Sequence, residues 1–150
     1  MYYGVKSNSD SVRTPENILN WVTETFGPYF DPTPYNPSYD PAKDTDGLVI
    51  PWQDVTYCNP PFSISYQFLK KCYKESKPGR VIVFLCKTDV LGIKTFTGGC
   101  DIVLFNKKVC FPGYSNKPPR FNCCLLVFHE HSDNKYYFFE SLTGNEFVRN

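Results

Sequence analysis

Apolar positions in the first part of the chain recur at helical spacing. Ile18, Leu19, Val22 and Phe26 predict a helix. Thr14 would serve as its N-cap and Pro15 as its first residue, and Gly27-Pro28 would stop it. Tyr29 to Asp31 predicts a short strand. The polar, proline-rich stretch that follows, PTPYNPSYDPAKDTDG, predicts a long loop. Val55 to Cys58 predicts a strand ending at Asn59, and Ile64 to Ser76 a helix with Ile64, Phe68, Leu69 and Cys72 on one face. Val81 to Cys86 is apolar without interruption, the pattern of a strand covered on both faces, as in a parallel sheet between helices. Thr88 to Phe96 reads as a weaker helix. Asp101 to Phe105, Lys108 to Phe111, Cys123 to Phe128 and Tyr136 to Glu140 read as strands, and Gly113 to Phe121 as a loop. The order predicts an α/β architecture. In such sheets ligands gather at the carboxyl ends of the strands, where Asp31 and Asn59 are both expected to face one crevice.

Length keeps this to one domain. The chain has 150 residues, enough for a core without covalent staples, and residues 1–11 and 141–150 are expected to be loose. No apolar run approaches a membrane span and the first residues carry no signal pattern, so the expected setting is the cytoplasm, without membrane contact. The seven cysteines include no CxxC pair, and buried reduced thiols are expected rather than a metal site. His129 and His131 read as surface residues, Trp52 as core, and Tyr136 to Phe139 as an edge strand or an interface.

Charge refines this picture. Residues 1–62 carry three basic and eight acidic side chains, net −5, while residues 63–120 carry eleven and three, net +8. A basic middle can meet phosphates although the whole chain has net charge +1. Lys70, Lys71, Lys74 and Lys77 share one predicted helix and read equally well as a solvated face. Lys87, Lys107, Lys108, Lys117 and Arg120 fall in predicted loops or turns and are the candidate phosphate contacts.

The stretch YCNPPFS, residues 57–63, carries the candidate chemistry. The exocyclic amine of adenine is a poor nucleophile because its lone pair is delocalised into the ring. Two acceptors for its two N–H groups make that lone pair more available. The side-chain oxygen of Asn59 and the backbone carbonyl of Pro60 can serve. Pro61 stiffens the turn, and Phe62 offers a stacking surface worth roughly 1–3 kcal/mol. A base in duplex DNA would first be flipped out.

With these residues in view, the chain resembles the small phage-type, Dam-like DNA adenine-N6 methyltransferases. NPPF after a strand is their catalytic signature. The segments RTPENILNWV, YFDPTPYN, DTDGLVIPW, VTYCNPPFS and NKPPRFNCCLLVF match the family's series in order, over about residues 12–129. The resemblance implies a Rossmann-like methyltransferase sheet in a single small domain with an abbreviated or absent target-recognition region. It implies S-adenosylmethionine as the methyl donor, held near Thr14, Pro15, Asp31, Pro32, Thr33, Asp46 and Leu48, and Asn59, Pro60, Pro61 and Phe62 as the catalytic group. It implies DNA as partner, with RNA not excluded, and a viral or phage origin, hence the host cell interior. Sequence choice would come from the loops 87–100 and 112–120, and a homodimer or an obligate protein partner would each fit. Taken alone, Asp31 and Asp46 are turn formers. Larger enzymes of this class carry a glycine-rich turn after the first strand, whereas here the turn is Asp31-Pro32-Thr33-Pro34, with no glycine before Gly47. A protein that kept the fold without catalysis is the alternative expectation.

Overall fold

The structure, a computed structural model, describes residues 12–36, 46–88, 98–112 and 121–147. Among the described residues, two α-helices, α1 (Glu16–Phe26) and α2 (Ser65–Glu75), accompany the strands β1 (Val55–Cys58), β2 (Val81–Lys87), β3 (Asp101–Leu104), β4 (Cys123–Phe128) and β5 (Tyr136–Phe138). The strands form one mixed sheet in the order β1-β2-β4-β3-β5. The expected strand at Tyr29–Asp31 shrinks to one parallel bridge, Phe30 to Thr56, on the free side of β1. It is closed by Phe30 N–H to the Val55 carbonyl and Tyr57 N–H to the Phe30 carbonyl.

The uninterrupted apolar run of β2 has the expected cause. Ile82, Phe84 and Cys86 point to one face, where α2 lays Phe68, Leu69 and Cys72. Val83 and Leu85 point to the other, where α1 lays Ile18 and Val22. Each fully buried Phe or Leu contributes roughly 1.5–3 kcal/mol. The sheet is not all parallel, however. β2 runs parallel to β1 but antiparallel to β4, and β4 runs antiparallel to β3.

Other expectations are corrected. Lys108–Phe111 forms no strand, because both edges of β3 are already taken by β4 and β5. Val109 and Phe111 still bury their side chains against the α1 face. The last strand stops at Phe138, and Phe139–Ser141 turn as a short 3-10 helix. The tail expected to be loose from 141 is pinned as far as Phe147, whose ring is buried against Trp21, Tyr137 and His129. His129 is not a surface residue: its side chain is 7% exposed and its Nε2 lies 2.6 Å from Asp101 Oδ2. Six of the seven thiols are buried, and Cys110 is exposed. Tyr136 and Phe138 are exposed on the edge strand β5. The helix expected at Thr88–Phe96 falls, after Thr88, outside the described residues. Among the described residues no helix is long and apolar enough to cross a membrane.

Candidate functional site

Three parallel segments deliver residues to one edge of the sheet. Phe30, β1 and β2 run in the same direction, so Asp31, Asn59 and Lys87 stand at neighbouring carboxyl ends. Asp31 and Asn59 share no hydrogen bond. They are linked through Thr33, whose hydroxyl bonds Asp31 Oδ1 (3.4 Å) and lies 3.6 Å from Cys58 Sγ, next to Asn59.

Tyr57 and Asn59 are two residues apart at the end of β1, so both reach toward the side where α1 begins. Asn59 Nδ2 donates to the Val12 carbonyl (2.9 Å) and to Thr14 Oγ1 (3.0 Å). A carbonyl can only accept, so this fixes which way the amide faces. Asn59 Oδ1 points away from both bonds and accepts none among the described residues. Nor does the Pro60 carbonyl, whereas the Pro61 carbonyl is used by Ile64 N–H (3.2 Å) in the turn Phe62–Ile64. Two adjacent acceptors are thus left over among the described residues.

Thr14 is not the N-cap it was expected to be. Pro15 occupies that position, with ψ 144° and no side-chain cap. Its carbonyl accepts from Ile18 and Leu19. The Thr14 hydroxyl instead lies 2.9 Å from the Tyr57 hydroxyl. Burial first, and the nearby Asp31 charge less, push the Tyr57 phenol well above its usual range, although Thr14 opposes this. Tyr57 therefore remains an O–H, and in the hydroxyl pair with Thr14 either oxygen can donate. The Thr14 oxygen also accepts from Asn59 Nδ2, so one residue ties the end of β1 to the start of α1 twice.

Asp31 is the half-buried carboxylate of the site. Its Oδ1 accepts from Thr33 N–H (2.9 Å), while Oδ2 has no hydrogen bond among the described residues. Desolvation pushes its pKa up to about 6, against the opposing Thr33 hydrogen bonds. The folded state therefore holds this proton more tightly than the unfolded chain. Stability from this group falls as pH rises from about 4 through about 6, and stays low above that. The two-unit gap corresponds to at most about 3 kcal/mol. An Asp31→Asn variant is accordingly expected to melt at a higher temperature than wild type at pH 7.5. Its melting temperature should also lose its pH dependence between about 4 and 6. Calorimetry across that range checks this, and a lower melting temperature at pH 7.5 would show that the carboxylate is structurally paired instead.

Asp46 Oδ1 accepts from Leu48 N–H (2.9 Å), the turn role foreseen for it taken alone. Its segment nevertheless reaches the Asp31 turn. A side chain on Gly47 would collide with the Pro32 carbonyl oxygen and would sit 3.0 Å from its carbon and 3.1 Å from Pro32 Cβ. Only glycine lets the 46–48 backbone lie on the 31–33 turn. The Gly47 carbonyl accepts from the buried Trp52 indole (2.9 Å). Trp52 N–H in turn donates to Glu75 Oε1 (2.7 Å) at the end of α2. Burial alone would raise the Glu75 pKa, but Trp52, Lys71 and Arg80 outweigh it and hold the group as a carboxylate.

Phe62 is half-buried, edge-on to Phe121 (centroids 5.2 Å apart) and to Phe111 (6.0 Å). Lys87 Nζ lies over Phe62 (4.6 Å) and over Phe121 (4.3 Å). Lys107 and Lys108 are exposed and line a cavity of about 250 Å³ with Pro15, Asn17, Ile18 and Glu140. Lys117 and Arg120 lie outside the described residues. The sequence alone did not reveal Tyr57, Gly47 and Phe121. Gly47, the first glycine after the Asp31 turn, carried the one local signal. Compared with known proteins, the chain matches no family model, no curated protein and no solved structure. The chemistry of this sheet edge therefore rests on its own residues.

Proposed function

We propose that the protein transfers a methyl group from S-adenosylmethionine to the N6 amine of adenine in DNA, on a Rossmann-like sheet. One observation carries this reading: the Asn59 amide is braced through its nitrogen, leaving its oxygen and the adjoining Pro60 carbonyl as two acceptors unused among the described residues. An aromatic amine offers two N–H donors to that pair, and a rigid pair costs no reorganisation when the amine arrives. The two bonds draw the nitrogen toward a tetrahedral shape and expose its lone pair. Phe62 supports the ring. No strong base is needed, because the nitrogen becomes acidic on alkylation and water can take the proton.

The donor-side residues suit S-adenosylmethionine. Asp31 presents a carboxylate oxygen that no described residue uses, in a desolvated turn, matched to a cationic or hydroxyl-bearing ligand. The Gly47–Pro32 contact brings the Asp46–Leu48 and Asp31–Thr33 segments together. When bound, the donor supplies a methyl group carried on a sulfonium sulfur. Asp31 would hold its amino or hydroxyl groups, and Thr14, whose hydroxyl lies between Asn59 and Tyr57, would stand beside it. Lys107 and Lys108 border Pro15 and suit the phosphates of the strand.

The test is methyl transfer with labelled donor to DNA and, in parallel, to RNA, followed by nucleoside analysis. N6-methyl-2′-deoxyadenosine is the expected product. Transfer to RNA alone would replace the substrate. Absence of transfer, with no calorimetric donor binding at millimolar concentration with or without DNA, would favour a non-catalytic binding protein.

A further inference from the structure

Lys87 ends β2 opposite Cys123, and the Thr88 N–H to Asn122 carbonyl bond (2.9 Å) ties the two strand ends together. Lys87 and Phe121 are thereby held beside the turn that carries Phe62. Among the described residues the Lys87 ammonium has no ion pair. Its partners are the two rings, at 4.6 and 4.3 Å from their centroids. These rings are 5.2 Å apart and inclined by 72°, so they form a corner rather than a stack. A cation in that corner covers the very ring that the proposed function assigns to the base.

We propose that Lys87 is a positioning residue that exchanges places with the target base. In the resting protein its ammonium fills the Phe62–Phe121 corner. When adenine enters, the ammonium leaves the rings and pairs with a phosphate of the same strand. The energies allow the exchange. An ammonium held over rings at a half-buried site is bound more weakly than a base stacked on them. The base wins, and the displaced charge gains a phosphate in place of the rings. The corner would therefore discriminate against a ring that arrives without a phosphate: a free nucleoside must evict Lys87 and offers it nothing in return.

This inference rests on the proposed placement of the base at Phe62, but its test needs neither methyl donor nor turnover. Equilibrium binding of adenosine and of a short single-stranded oligodeoxyadenylate is measured for wild type, Lys87→Gln and Phe121→Leu. Lys87→Gln is expected to bind adenosine about two- to fivefold more tightly, because the competing cation is gone. The same variant should bind the oligonucleotide less tightly, with the slope of log affinity against log salt reduced by about 0.7. Phe121→Leu should weaken adenosine binding. A merely structural role for Lys87 would move both ligands in the same direction. Equal or weaker adenosine binding by Lys87→Gln, an unchanged salt slope, or no adenosine binding by any of the three proteins would overturn the proposal. If the expected pattern appears without methyl transfer by wild type, the exchange stands and only the catalytic reading falls.

Discussion

An Asn59→Ala variant is expected to lose methyl transfer by about 10²- to 10³-fold in kcat while remaining folded. The magnitude is that of removing one preorganised polar group aimed at a reacting centre. The structure says why the fold should survive. Asn59 spends its nitrogen on Val12 and Thr14, two groups at the start of α1, and its oxygen on nothing within the described residues. Losing those two bonds costs about 1–3 kcal/mol, a fraction of a typical domain's stability. Circular dichroism and calorimetry would establish folding, and single-turnover transfer to DNA the rate. A folded variant that kept more than a tenth of the wild-type rate would remove Asn59 from the chemistry.

A Gly47→Ala variant should fail differently, on the donor side and in stability together. Its Cβ would press into the carbonyl of Pro32, a backbone group that cannot swing aside as a side chain can. Either the 46–48 segment lifts from the 31–33 turn, and the Trp52 indole is pulled from its Gly47 carbonyl partner, or the turn itself moves away. Overpacking of this kind costs roughly 1–3 kcal/mol. In a domain of this size that lowers the melting temperature by roughly 2–12 °C. Donor binding, measured by calorimetry below the transition, should weaken at least tenfold, because the two segments proposed to flank the donor no longer meet. A variant with wild-type melting temperature and donor affinity would show that this contact matters to neither.

Residue pattern revealed those parts of the fold that depend on local burial. The apolar run Val81–Cys86 announced a strand covered on both sides, and the helical spacing of Ile18 and Val22 announced the helix that covers one of them. Strand direction was not legible in the same way. Whether β2 meets a parallel or an antiparallel neighbour depends on how the chain returns after residue 88, not on the apolar character of β2 itself. Lys108–Phe111 has a strand's alternation, but alternation cannot tell that β3 has no edge left to offer. The motif Asn59-Pro60-Pro61-Phe62 was legible as a motif. Its bracing was not, since Thr14 lies 45 residues earlier and looked like an ordinary helix start. His129 was misread for a similar reason: its partner Asp101 is 28 residues away, and a lone histidine after a strand shows nothing of it.

The central place of β4 has a consequence for how the molecule is made. β4 lies between β2 and β3, pairs with both, and is synthesised after both. On a chain growing from its N-terminus, Thr14, Asp31 and Asn59 emerge early. β2 and β3 can become parts of one sheet only when Cys123–Phe128 inserts between them. Such long-range closure is slow compared with local helix formation. Until it occurs, β2 and β3 each expose an apolar strand edge to other chains.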